Sequence, residues 1–306
     1  MHTYTQMKTD PKRMGHPNAD RGLCGFAGTL MALLERRDYG FLDDLYDCVN
    51  NATRILGVDK SVRIKGRIQK RVAHGIIPNE TSIDDWKACL GFMILFKEHS
   101  KAAGDGHWQT CVTFSDLFGG FSYDHLDVKS TSGILFFKKT TTTRYSKLKD
   151  LPSTAVLSDK LDTGGLSYKK GDFGVPPSVI SEVLSVAGLN VSKTDVVASN
   201  AETLKMLTRW SMVKMLKKTF VDAMYNSQTG VSPNDGVLLG VGTPASVRTD
   251  LSTYYNVVHW VYVPTVPNSR PNSGDFKVWT WGNEYSAKDL LDSRGMAPVY
   301  AVYLAP

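Results

Sequence analysis

Cysteine is scarce in this chain of 306 residues, limited to Cys24, Cys48, Cys89 and Cys111. None forms a Cys-x-x-Cys pair, and four scattered cysteines in so long a chain do not make a disulfide framework. A reducing working compartment is the simpler expectation. His107 and Cys111 are four residues apart, but no second pair completes a zinc site, so no metal is expected. Long apolar runs are also missing, and none reaches the roughly 20 residues that cross a bilayer as a helix, so no membrane span is expected. Residues 1–17 are polar and lack the apolar centre of a secretory signal peptide. The glycines of residues 236–242 lack the Gly-Lys-Ser/Thr ending of a phosphate-binding loop. No internal repeat is present, and the only low-complexity tract is Thr140 to Thr143.

Charge is nearly balanced, at +6 with a pI near 9.0. One dense basic cluster stands out: Lys60, Arg63, Lys65, Arg67, Lys70 and Arg71, with no acidic residue among them. A solvated face is the plainer reading, and an acidic partner is the alternative. No aromatic residues interleave with the cluster, which counts against nucleic acid.

What is present is an ordinary globular composition, with enough apolar residues for one large core. Phe26, Leu30, Leu33 and Leu34 recur at helical spacing, ending near Gly40. A second helix follows over residues 42–55 and a third over 81–101, with Asp84 and Asp85 in its first turn. Short strands are expected at residues 111–114 and 133–137. Residues 138–175, rich in Lys, Thr, Ser, Asp and Gly, read as a long exposed insertion. Pro176 and Pro177 open a helix stopped by Gly188. A strand at 196–198 and a long helix from about Ser199 to Tyr225 come next. The last third is strand-rich: residues 236–242, 257–263, 276–281 and 299–304, separated by turns, predict an antiparallel sheet. The pattern is α+β. The expected organisation is a flexible leader over 1–17 and one domain over 18–306, carrying an inserted polar segment at about 138–175.

The informative cysteine is Cys24. It lies at the start of the first helix, where unpaired N–H groups and the helix dipole favour an anion, so a depressed thiol pKa is expected. The plain alternative is a small buried residue at a packing junction. A thiolate nucleophile needs a base, a group that orients the base, and donors for the developing oxyanion. His259, in a strand, is the best base candidate; the alternative is a core histidine bonded to a carbonyl. His107 is the fallback base and reads more simply as a loop residue. Paired acids such as Asp43 and Asp44 read as first-turn helix charges.

Three motifs together resemble the papain-like cysteine peptidase superfamily. They are Cys24-Gly25 opening an apolar helix, the distant strand His259-Trp260-Val261-Tyr262-Val263, and a following strand ending in Trp281-Gly282. The nearer likeness is to its bacterial toxin, effector and bacteriocin-processing branches, and it covers about residues 18–35 and 176–304. The resemblance implies a papain-like α+β fold in which the nucleophile helix packs on a C-terminal antiparallel sheet. It further implies a hydrolase in which Cys24 attacks an amide or thioester carbonyl of a protein or peptide and His259 carries the proton. Asn18, six residues before the cysteine, falls where the family has an oxyanion-hole amide. The family's orienting Asn or Asp is replaced by Trp279 or Thr280, depending on alignment, so Thr280 or Asn283 would orient the imidazole. No cofactor is implied. The likeness and the lack of a signal peptide suggest a protein that stays in the producer's cytoplasm or is delivered by a specialised secretion system. The same thiol chemistry would serve a deamidase, a transglutaminase or a peptidoglycan amidase, and a non-catalytic binding module that keeps the fold is the rival of another class.

Overall fold

The computed structural model describes residues 3–14, 23–51, 85–103, 126–132, 139–145, 175, 177–197, 209–224, 235–242, 257–264 and 275–306. Its contacts divide the chain into two compact units. The first comprises Met1–Leu42, Asp84–Cys89 and Gly174–Pro306, and the second comprises Asp43–Ile83 and Leu90–Phe173. Among the described residues no helix is long and apolar enough to cross a membrane.

The described elements make a mixed α+β protein. In chain order they begin with α1 (Tyr4–Thr9), a 3-10 turn (Pro11–Arg13), α2 (Cys24–Arg36), α3 (Gly40–Asn51) and α4 (Asp85–Ala103). Strands β1 (Leu126–Ser132) and β2 (Lys139–Tyr145) follow, then α5 (Pro177–Val186), β3 (Val191–Val196) and α6 (Arg209–Met224). The chain closes with β4 (Val237–Gly242), β5 (His259–Val263), β6 (Lys277–Thr280), β7 (Asn283–Ser286), a π-helical turn (Lys288–Asp292) and β8 (Ala297–Leu304). The first unit is built on a six-stranded sheet of order β3-β8-β4-β5-β6-β7, with every pairing antiparallel.

Both faces of that sheet are covered, so its central strands are nearly continuous apolar runs rather than alternating, with His259 the polar exception. Every residue of β4, β5 and β8 is buried. On one face Val237, Leu239, Val241, Val261, Val263 and Val278 join Met212, Leu216 and Phe220 of α6 and Leu290 and Leu291 of the π-helical turn. Lys217 and Asp292 form a mostly buried ion pair at 2.8 Å between those same two elements. The other face receives α2. A Cβ on Gly28 would stand 2.3 Å from Leu238 Cδ1, and one on Gly25 would stand 2.9 Å from Val175 Cγ2. These glycines let the helix press against its neighbours. At the far end of α2, the Tyr262 hydroxyl donates to Glu35 at 2.5 Å, and Arg36 donates to the carbonyls of Asp235 and Ala305.

Several boundaries differ from the sequence reading. α2 stops at Arg37, which takes the left-handed conformation itself (φ 56°), while Gly40 opens α3. The strand expected at 196–198 runs instead over Val191–Val196, where exposed Ser192 and Thr194 alternate with partly buried Val191, Lys193 and Asp195 along a sheet edge. Part of the expected polar insertion is strand: Thr140 to Thr143 pair with Thr131, Ser130, Lys129 and Val128 of β1. A β-branched threonine run suits a pleated surface whatever its polarity. Residues 3–14, within the stretch expected to be a flexible leader, form α1 and the 3-10 turn, with Met7 and Met14 buried. β7 and the π-helical turn were not anticipated. The basic cluster from Lys60 to Arg71, the strands expected at 111–114 and 133–137, and the start of the long helix expected from about Ser199 lie outside the described residues.

Two glycines separate backbone strain from packing. Gly188 and Gly236 both have left-handed backbones (φ 81° and 82°). A Cβ at Gly188 meets nothing within 4 Å, whereas one at Gly236 would lie 2.1 Å from the Tyr262 hydroxyl. Gly188→Ala should therefore destabilise by about 1–2 kcal/mol, the left-handed penalty alone. Gly236→Ala should lose a further 1–3 kcal/mol or so from overpacking. Urea denaturation of the two variants checks this, and equal losses would contradict it.

Candidate active site

Cys24 is the first residue of α2 and is buried. It is a free thiol. Leu23 before it supplies no side-chain cap, so the first-turn N–H groups remain available to the sulfur. The sulfur meets backbone N–H groups of Trp260, Gly25 and Cys24 itself. The Trp260 contact is the informative one. It comes from β5, one residue after His259, and brings the start of α2 against the backbone at the start of that strand.

Burial nevertheless dominates the thiol's electrostatics. Desolvation pushes its pKa up to about 11, and the three N–H groups pull it down by less. This corrects the expectation of a depressed pKa. A helix N-terminus stabilises a thiolate only when the site is not itself too dry for the charge.

His259 is buried, and its Nε2 lies 2.8 Å from Thr280 Oγ1. The register explains the partner. Tyr262 stands opposite Trp279, so alternation puts Thr280 on the same face as Val261 and His259, and Trp279 on the face of Tyr262. The structure thus resolves the ambiguity between Trp279 and Thr280 in favour of the hydroxyl. Asn283 is elsewhere: its side-chain amide donates to the Trp281 carbonyl at 3.3 Å. It does not reach the imidazole, because it stands across the β6–β7 turn, opposite Thr280. Asn18 lies outside the described residues, as does His107.

A hydroxyl offers no negative charge to an imidazolium. Desolvation, followed by the positive charge of Arg294, lowers the His259 pKa to about 3. The thiol and the imidazole therefore each rest neutral.

Trp281 and Arg294 were not assigned to the site from sequence. The Trp281 ring stacks on the imidazole, with centroids 4.6 Å apart and planes 18° apart. The Arg294 guanidinium lies 4.0 Å from the Trp281 centroid. Trp281 has φ 49° and Gly282 has φ 73°, the left-handed pair of a two-residue hairpin turn. Glycine suits its position, but tryptophan in that region is strained by about 1–2 kcal/mol. Of the dipeptide, only Gly282 is a sequence signal for such a turn. Arg294 had no comparable signal.

Among the described residues, no group of three or more His, Cys, Asp and Glu is placed to hold a metal ion. Compared with family models, curated proteins and solved structures, the chain matches none.

The two shifts fix the pH dependence of stability. Below pH 6.5 the unfolded chain protonates His259 and the folded chain does not, so this contribution is complete above 6.5 and is lost as pH falls toward 3. Above pH 9 the unfolded chain ionises Cys24 and the folded chain does not, so stability falls as pH rises toward 11. Within either window each group changes stability by up to about 1.4 kcal/mol per pH unit. His259→Phe should flatten the acid limb, and Cys24→Ala should flatten the alkaline limb. Urea midpoints measured across pH test both, and unchanged limbs would refute the assignment.

Proposed function

We propose that this chain is a cysteine hydrolase of papain-like design, acting on an amide or thioester carbonyl through Cys24 and His259. The observation that carries the reading is the contact between the Cys24 sulfur and the Trp260 N–H. It sets a helix-start thiol one residue along the backbone from a histidine whose Nε2 is already held by Thr280. With Nε2–H donating to Thr280, Nδ1 keeps its lone pair and serves as the base. The backbone N–H of Cys24, together with Asn18, would stabilise the oxyanion.

The neutral resting pair defines how such a site would work. With the thiol near 11 and the imidazole near 3, moving the proton before attack costs roughly 10 kcal/mol. An ion-pair attraction of about 4 kcal/mol at close range does not recover that. Proton transfer would therefore accompany carbon–sulfur bond formation, with His259 acting as general base and returning the proton to the leaving amine or thiol. Substrate class, deamidation and transglutamination among the alternatives, follows from the pocket rather than from this pair. Delivery into a target cell belongs to the same proposal and rests on the family resemblance.

A specific observation favours the second reading, a binding module that keeps the fold without the chemistry. Alternation along β5 groups His259 with Val261 and Val263, while α2 packs on the face of Leu238 and Tyr262. The thiol would then reach only the strand's backbone.

A peptidyl acyloxymethyl ketone, followed by mass spectrometry of Cys24, separates the two. The hydrolase reading expects His259→Ala to slow adduct formation by about 10²-fold or more, in the range of general-base effects. Equal rates in wild type and variant would leave the binding module.

A further inference from the structure

We propose that residues 3–14 are a clamp that keeps Trp281 on the His259 ring, which makes the N-terminal segment a positioning element of the site. The catalytic meaning of the clamp rests on the hydrolase reading; the clamp itself does not.

The turn does not hold its own shape at low energy. Thr280 pairs with Asn283, so Trp281 and Gly282 must both take positive φ. Only the second is a residue that does so without strain. The Trp281 side chain has no polar anchor either, since among the described residues its buried Nε1 has no hydrogen-bond partner. Its ring is positioned by His259, by Arg294, by an edge contact to Tyr285 at 6.3 Å, and by apolar packing on the core, none of them directional enough to fix the backbone of the turn.

Within the turn the Asn283 amide donates to the Trp281 carbonyl, and the tie from outside it is the N-terminal segment. The Gly282 N–H donates to the Met14 carbonyl at 3.2 Å. Met14 is in turn well fixed. Its side chain is buried, as is that of Met7 one α1 turn and a 3-10 turn earlier. Thr3 and Gln6 cap α1 reciprocally. Asp10 accepts from Arg13 at 3.1 Å and closes the 3-10 turn. The Lys8 ammonium lies 4.5 Å from the ring of Tyr39, just beyond α2. Two buried methionines and one backbone bond thus oppose the relaxation of a strained tryptophan. Release of the segment frees the turn, and Thr280, its first flanking residue, moves with it. The imidazole then loses its ring cover and its Nε2 partner together.

The test uses the full chain. In the variant Met7→Asp/Met14→Asp, carboxylates at two buried positions detach the segment. The readout is the His259 imidazole titration by ¹⁵N NMR. Arg294, the charged group that acts on the ring, is left intact. The ring should move from a titration near 3 toward 6.5. An unchanged titration in a folded variant whose residues 3–14 exchange their amides freely would overturn the clamp. A second measurement needs no variant. In wild type the Gly282 amide and the amides of α1 should exchange with the same opening free energy and the same denaturant dependence. Separate openings would also overturn it. Neither readout involves turnover. Loss of the His259 effect on Cys24 labelling removes the hydrolase reading alone, and an unmoved imidazole removes the clamp alone.

Discussion

The close approach of α2 to the sheet is the constraint on which this unit depends. Gly25 and Gly28 leave room for Val175 and Leu238 where any side chain would collide. That approach brings the sulfur of Cys24 within reach of the Trp260 N–H. It also completes the cover over β4 and β5, which accounts for their unbroken burial. At the opposite end of the helix, Glu35 and Arg36 fasten it to Tyr262, Asp235 and Ala305, so α2 is held along its whole length. A thiol on such a helix has little freedom to move, and it meets only the groups that the fold already brings to it.

The same tightness sets the site's electrostatics. Two opposing rules apply at Cys24, and magnitude decides between them. Helix-start and strand N–H groups favour the thiolate, while the dry surroundings disfavour any charge. Desolvation prevails at the sulfur, and it prevails again at His259, where Arg294 adds to it. A carboxylate in place of Thr280 would oppose that shift; a hydroxyl orients the ring without charging it.

Much of the fold was legible in the sequence because burial writes itself into composition. β4, β5 and β8 appear as apolar runs, and α2 and α6 appear as helical periodicities. Less was legible where structure depends on conformation rather than hydrophobicity. Arg37 ends a helix in a conformation usually taken by glycine, and Trp281 occupies a turn position usually taken by asparagine or glycine. β2 is polar and reads as loop until its β1 partner is known. At the site, Cys24, His259 and Thr280 stood out by type and order. Choosing Thr280 over Trp279 or Asn283 required the register of β5 and β6. Trp281 and Arg294 touch each other and the imidazole's surroundings through ring contacts, which leave no spacing rule in a sequence.

The left-handed tryptophan has a consequence for anyone who would engineer this protein. A substitution chosen only to relax the backbone would put asparagine or glycine at Trp281. The turn would lie at rest, and the imidazole and the core beside it would both lose their cover. A relaxed turn and an ordered His259 are thus rival objectives at a single codon, and a screen for one should carry a counter-selection for the other.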